Sequence, residues 1–278
     1  MNIQAALPGG YAVVEAAHGI IVVRDDSRTR LEPLMRLSAA ERGGTTGAET
    51  LEGGRARPLR LPVKGLPGSV LVRPYAHGGL LGGLLGTRFA GPGRALRELA
   101  VAVTATGRGL PVPEMLGFTA SRAGPLWTME AWVRWIEAAP PLHRVLEAAP
   151  DERIREQALA GAGRAVRACH DAGLVHHDLN SRNILVAGGP AGFRALVVDL
   201  DGARMGPPPG TTSRARQLRR LFRSLVKERA MPAGGAEFAS LLRGYGAPFN
   251  GPAGSPLVAR ARLETRLHSL FWKGRKIR

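Results

Sequence analysis

Apolar and polar positions change period along the chain, and the change divides it into a strand-rich first half and a helical second half. Residues 11–24 hold two β-branched runs split by His18-Gly19, which predicts a hairpin. Residues 38–56, rich in Gly, Thr and Glu, read as a loop with a short helix. Residues 51–63 and 69–75, separated by Lys64-Gly-Leu-Pro-Gly, predict strand, turn, strand. Leu96, Leu99, Ala100 and Val103 recur at helical spacing and predict a helix over 92–106, ended by residues 107–113. Residues 126–133 form an apolar run that reads as a buried strand entering a linker. Glu130-Ala-Trp132 falls where a hinge between two lobes, with backbone for an adenine, is expected.

The second half opens on Ile154, Ala158, Ala162, Ala165, Val166 and Cys169 at helical spacing. Asp151 and Glu152 sit in the first turn, where they complement the helix dipole, and Gly173 is a natural stop. The helix delivers the chain into residues 174–202, two short strand-like runs joined by a Gly-Pro-Gly turn. A further helix starts at about Arg214, with Leu218, Leu221, Phe222, Leu225 and Val226 in one stripe. Residues 257–278 carry Leu263, Leu267, Leu270 and Phe271 on one side and close on a basic end. The element order gives an α+β class.

Candidate chemistry concentrates in 174–202. Phosphoryl transfer to an alcohol needs a carboxylate in reach of the hydroxyl and hard oxygen ligands for a metal that neutralises the phosphates. Asp178 supplies the first, and Asn183 with Asp199 can hold Mg²⁺. His176 suits a loop-orienting role better than a metal ligand. A zinc site on His176 and His177 has no further ligand at suitable spacing. Arg73 ends a Val-Leu-Val run where a phosphate-side cation belongs, with Lys64 as its rival, and Glu98 is the candidate partner on the following helix. Gly53-Gly54 precedes a strand and can form a glycine-rich phosphate cover or an ordinary turn.

Composition changes the picture in one respect. The formal charge is +17, and only Lys64, Lys227, Lys273 and Lys276 of the 39 basic residues are lysine. Such a balance attracts polyanions, whether nucleic acid, an anionic membrane surface or an acidic substrate. The arginines are scattered rather than blocked, so a compositional habit accounts for the excess equally well. At 278 residues and 44% hydrophobic content the chain can build one large domain or two lobes. A lone cysteine, no run of 18 apolar residues and no basic n-region lead us to expect a cytoplasmic protein, at most peripheral on a membrane. Nothing in the sequence sets an oligomeric state.

The constellation His176-x-Asp178-Leu-x-x-x-Asn183, then Ile-Leu-Val, a turn and Val-Val-Asp199-x-Asp-Gly resembles the catalytic and metal loops of the protein-kinase-like superfamily. Asp178-Leu-Asn-Ser-Arg-Asn-Ile-Leu and Asp199-Leu-Asp201 most resemble the 3-deoxy-D-manno-octulosonic acid (Kdo) kinases of lipopolysaccharide. Their Asp-Phe-Asp is changed by one residue here. Val70-Leu-Val-Arg-Pro-Tyr-Ala-His-Gly-Gly-Leu, Arg97-Glu98 with Gly109-Leu-Pro-Val-Pro, and the helix of Leu218-Arg-Arg-Leu-Phe-Arg-Ser-Leu-Val-Lys are similar to further stretches of that branch. The likeness covers about residues 50–230 and fades over the first sixty.

That resemblance implies a bilobal protein-kinase-like fold, with a β-rich N-lobe in residues 1–130 and a mainly helical C-lobe in 131–278. It implies an ATP- and Mg²⁺-dependent kinase of a Kdo hydroxyl on lipid A, with Asp178 as base, Asn183 and Asp199 as metal ligands, and Arg73 and Glu98 as the phosphate-side pair. Arginine stands where the superfamily carries lysine, and the two cations are not interchangeable. Residues 203–213 contain no Ala-Pro-Glu and leave little room for an activation segment, which favours a small or glycolipid acceptor over a protein. Other acceptors, such as a heptose, an aminoglycoside or a protein, define the alternative enzyme. A basic nucleic-acid-binding module is the non-catalytic alternative, and no nucleic-acid motif supports it.

Overall fold

The computed structural model describes residues 3–52, 57–77, 85–188, 192–231 and 237–246. It divides into two compact units, Met1–Gly107 with Pro113–Glu137, and Arg108–Val112 with Ala138–Arg278.

The first unit is built on an antiparallel sheet. Strands β1 (Tyr11–Ala16) and β2 (Gly19–Arg24) form the expected hairpin, with Val14 opposite Ile21. Helix α1 (Arg28–Arg36) follows, burying Leu31 and Met35, while Arg28 and Arg36 both pair with Glu32 on the outer side. No periodicity noted above predicts α1, whose nine residues include Pro33. Helix α2 (Ala39–Gly43) starts from a capping box in which Ser38 and Glu41 satisfy each other's backbone N–H. Strands β3 (Glu49–Thr50), β4 (Leu59–Pro62) and β5 (Ser69–Pro74) come next, then helix α3 (Gly93–Gly107), β6 (Met115–Ala123) and β7 (Leu126–Arg134). The strand order is β1-β2-β6-β7-β5-β4-β3. Ile21, Leu31, Leu61, Val70, Val72, Leu116 and Trp132 share one core cluster.

Two expectations are corrected here. The face that α3 buries is Ala95, Leu96, Glu98, Leu99, Ala102 and Ala105, with Ala100 exposed. Val101 is buried as well, so Leu96 and Leu99 of the expected stripe go inward together with Glu98. The boundary expected after residue 130 falls inside β7, and the first unit continues to Glu137. Trp132 pairs with Val72 on one side and Gly117 on the other and is fully buried, so this stretch is sheet centre and no hinge.

The second unit is mainly helical. Helices α4 (Leu142–Ala148) and α5 (Glu152–Asp171) lead into β8 (Leu174–Val175), the hairpin β9 (Ile184–Ala187) and β10 (Arg194–Val197), and β11 (Arg204–Met205). Helices α6 (Thr211–Lys227) and α7 (Phe238–Tyr245) complete it. Asp151 caps α5 by accepting from the Ile154 N–H at 2.8 Å. Helices α5 and α7 pack backbone to backbone: a Cβ on Gly163 would lie 2.0 Å from the Leu241 carbonyl oxygen, so only glycine fits. Cys169 is buried in α5, and burial pushes its thiol up to about 12, which leaves it inert.

Candidate active site

The loop between β8 and β9 is fixed by the elements at its ends. β8 pairs with β11, and Ile184 of β9 lies opposite Val197 of β10. The Val198 N–H donates to the Asn183 carbonyl at 3.0 Å, so the hairpin brings Asn183 and the residue before Asp199 face to face. Asp199 then turns with φ of 60°, a left-handed conformation that few non-glycine residues adopt and that strained functional positions often show.

His176 is the internal brace. It is buried; its Nδ1 accepts from the Asp178 N–H at 3.2 Å, which places the proton on Nε2, and Nε2–H donates to the Val198 carbonyl at 3.0 Å. One neutral imidazole thus ties the backbone of Asp178 to the backbone preceding Asp199. Burial holds its pKa below the ordinary histidine value, in keeping with that neutral tautomer. His170, buried behind it on α5 with Nδ1 2.8 Å from the Tyr245 hydroxyl, is lowered to about 4 by burial.

Both histidines are depressed in the folded state, so above the unfolded pKa of 6.5 they are neutral in both states and cost nothing. Stability should fall as pH drops from about 6.5 toward about 4, where the unfolded chain takes up protons that the fold excludes. The lowering of His170 to about 4 alone corresponds to a loss on the order of 3 kcal/mol across that window. Chemical unfolding of wild type and His170→Gln at both ends of it checks this: the variant should lose less stability on acidification, and equal losses would contradict the assignment.

Asp178 itself is open. Its side chain is 69% exposed, so a substrate hydroxyl can reach it. Its Oδ2 accepts from the Asn180 Nδ2 at 3.0 Å, and its Oδ1 lies 3.3 Å from the Arg220 guanidinium. The Asn183 Nδ2 donates to the Asp178 carbonyl at 3.0 Å, which leaves Oδ1 of Asn183 as its ligand atom. No group of three or more His, Cys, Asp or Glu that could hold a metal occurs among the described residues. The Asn183 amide oxygen and the Asp199 carboxylate are hard oxygen donors of the kind that Mg²⁺ would accept.

Helix α6 holds this loop residue by residue. The His176 N–H donates to the Gln217 Oε1 at 2.9 Å, Arg220 donates to the His177 carbonyl, and the Ser181 N–H donates to the Ser224 Oγ at 2.8 Å. Just past the helix end, Glu228 pairs with Arg182 at 3.0 Å. Gln217, Arg220, Ser224 and Glu228 recur at helical spacing and follow the loop in the same direction. In the sequence this helix shows by its apolar stripe and by its likeness to the Kdo kinases. The missed signal was a second, polar stripe beside it.

In the first unit, Arg73 at the end of β5 and Glu98 on α3 form an ion pair, with the Arg73 Nη2 2.7 and 2.9 Å from the two carboxylate oxygens. The Tyr75 hydroxyl donates to the same carboxylate at 2.5 Å, and the guanidinium lies 5.0 Å from the Tyr75 ring centroid. Glu98 is 4% exposed and Arg73 21%, so the carboxylate is sealed and the cation reaches outward. Lys64 is exposed in the turn between β4 and β5. Glu130 and Trp132, expected in a hinge, have side chains engaged within the first unit. Glu130 accepts from Arg42 at 2.6 Å and from Thr119 at 3.1 Å, and Trp132 lies in the core beneath the Arg42 guanidinium. Gly53 and Gly54, the Gly-Gly-Leu segment at 78–84 and the basic tail at 257–278 lie outside the described residues. No helix among the described residues is long and apolar enough to cross a membrane.

Comparison with known proteins places this geometry. The model of the lipopolysaccharide kinase (Kdo/WaaP) family matches residues 78–245, spanning both the Arg73-proximal helix α3 and the loop from His176 to Asp199. A 3-deoxy-D-manno-octulosonic acid kinase of Photobacterium profundum is 31% identical over 186 residues, covering 64% of this chain and 75% of that protein. One from Xylella fastidiosa is 32% identical over 185 residues, covering 64% and 71%. A solved structure described as WaaP in complex with acyl carrier protein superposes with a TM-score of 0.53 at 17% identity, covering 95% of this chain and 97% of that one, a likeness of fold.

Proposed function

The chain belongs to the lipopolysaccharide kinase (Kdo/WaaP) family, and from that premise we propose that it transfers the γ-phosphoryl group of ATP to a hydroxyl of lipid-linked Kdo during inner-core assembly. That it is a kinase follows from the family; the donor, the metal and the acceptor are the proposal. The observation that carries it is Asp178, an exposed carboxylate whose backbone and side chain are both held in place by His176, Asn180, Asn183 and Arg220.

Asp178 accepts the proton of the acceptor hydroxyl as that oxygen forms its bond to the γ-phosphorus. The bond to the bridging oxygen breaks and ADP leaves. Asn183 and Asp199 would hold Mg²⁺, which when bound neutralises charge on the phosphates. Arg73, steadied by Glu98 and Tyr75, offers guanidinium donors to the nucleotide phosphates. His176 takes no proton from substrate; as a buried neutral imidazole it keeps Asp178 and Asp199 in register. The reading puts the protein in the cytoplasm, peripheral on the membrane face that carries its acceptor.

Incubation with γ-labelled ATP and Mg²⁺ against Kdo-lipid A, heptosylated acceptors and small amino sugars tests this. Label is expected in Kdo-lipid A. Transfer to a heptose or amino sugar in its place would reassign the acceptor while keeping the chemistry.

A further inference from the structure

Helix α6 has three faces. Leu218, Leu221, Phe222 and Leu225 are buried in the second unit, and Gln217, Arg220 and Ser224 hold the catalytic loop. The remaining face carries Arg216, Arg223 and Lys227. At 100° per residue these three and Arg220 fall within one stripe about 60° wide, some 16 Å long. Arg216 and Lys227 are exposed, Arg220 and Arg223 half-buried. Arg220 stands at the seam between the loop-holding face and the basic face, 3.3 Å from Asp178.

Several helical arginines elsewhere are paired with an acid of their own helix, whereas α6 draws acids from outside it, Asp171 for Arg214 and Asp178 for Arg220. Arg28 and Arg36 flank Glu32, and Arg167 pairs with Asp171, each at i,i+4. Helix α6 has six basic residues and no acidic one. Arg216 and Arg220, Arg219 and Arg223, and Arg223 and Lys227 are like-charged neighbours at i,i+4, which oppose the helix that carries them. An anionic ligand along the stripe would turn that repulsion into attraction. The stripe passes Asp178 at Arg220, so a ligand along it lies beside that carboxylate.

We propose that the basic face of α6, formed by Arg216, Arg220, Arg223 and Lys227, binds the acceptor: it takes the carboxylate and phosphate groups of an anionic glycolipid and sets one of its hydroxyls at Asp178. The inference rests on the acceptor reading above and deepens it. Arg220 serves both sides, donating to the loop through the His177 carbonyl while its remaining N–H groups are available to a carboxylate. The source of the anion is the acceptor itself, not bulk anionic lipid.

Co-sedimentation with phosphatidylcholine vesicles carrying Kdo-lipid A, without ATP, tests it against vesicles carrying phosphatidylglycerol at matched charge. Each cation near an anionic surface contributes about five-fold, so Arg216→Gln/Arg223→Gln/Lys227→Gln should weaken binding to Kdo-lipid A vesicles on the order of 100-fold. Arg223→Glu alone should weaken it by about ten-fold or more, and it serves where the triple variant fails to fold. In turnover the acceptor KM should rise with the KM for ATP unchanged. Wild-type affinity in the variants overturns the proposal, as does equal wild-type binding to phosphatidylglycerol. Binding loss without any phosphoryl transfer to Kdo-lipid A would sink the acceptor reading and leave the anion site standing. Transfer with an unchanged acceptor KM would do the reverse.

Discussion

Asp178→Asn should lower phosphoryl transfer by about 10²- to 10⁴-fold, the usual contribution of a positioned general base, while ATP binding is retained. The substitution is close to isosteric, and the braces around residue 178 act largely on its backbone. The 178 N–H still reaches the His176 Nδ1, and its carbonyl still accepts from Asn180 and Asn183. What is lost is the basic oxygen and the charge that faces Arg220. A fall in kcat with an unchanged dissociation constant for ATP is therefore the expected signature. Undiminished kcat would remove Asp178 from the chemistry, and a loss of fold would show that the loop depends on the Arg220 contact more than on its backbone bonds.

Glu98→Ala should cost about 3 kcal/mol of stability and raise the KM for ATP. Its carboxylate is sealed, accepting from both Arg73 and the Tyr75 hydroxyl, so truncation takes a charged acceptor away from a partly buried guanidinium and a buried tyrosine. Breaking one side of a buried pair costs more than the pair's net worth because the survivor stays desolvated. Tyr75→Phe removes one hydrogen bond only and should cost about 1 kcal/mol. Urea unfolding of both variants gives the ranking. If Glu98→Ala proves as stable as wild type, the pair is peripheral and its place in the nucleotide reading falls with it.

The parts of this molecule that were legible in sequence are those whose partners lie close along the chain or whose spacing encodes chemistry. The hairpin at 11–24 announces itself by β-branched runs around a turn, and the long helix from Glu152 by apolar period and an Asp151 cap. The loop from His176 to Asp199 was readable because Asp178 and Asn183 stand five residues apart and a short hairpin fixes the rest. Other parts were hidden for physical reasons. Strand β6, buried on both faces over residues 115–120, shows no alternation, and Gly117 interrupts it where the Val22 carbonyl leaves no space for a Cβ. Glu130 read as part of a hinge because nothing local reveals its side-chain partner, Arg42, 88 residues away. The polar stripe of α6 was passed over for the same reason: Gln217, Arg220 and Ser224 acquire meaning only when the catalytic loop is laid against them.

Arg73 and Glu98 lie between these cases. The strand-end cation and the helix carboxylate are expected as partners from the sequence, and the fold joins them at 2.7 Å. The turn of α3 that achieves this buries Glu98 and exposes Ala100, against the apolar stripe. The charge-assisted contact, with Tyr75 as second donor, satisfies the carboxylate that is buried there.

The most direct measurement is the mass of the product formed from Kdo-lipid A, ATP and Mg²⁺, before and after mild acid cleaves the ketosidic link to lipid A. The account predicts one added phosphate that departs with the released sugar acid, absent when Asp178→Asn replaces the wild type. A phosphate that stays on the lipid A fragment, or a product formed equally well by Asp178→Asn, would contradict it.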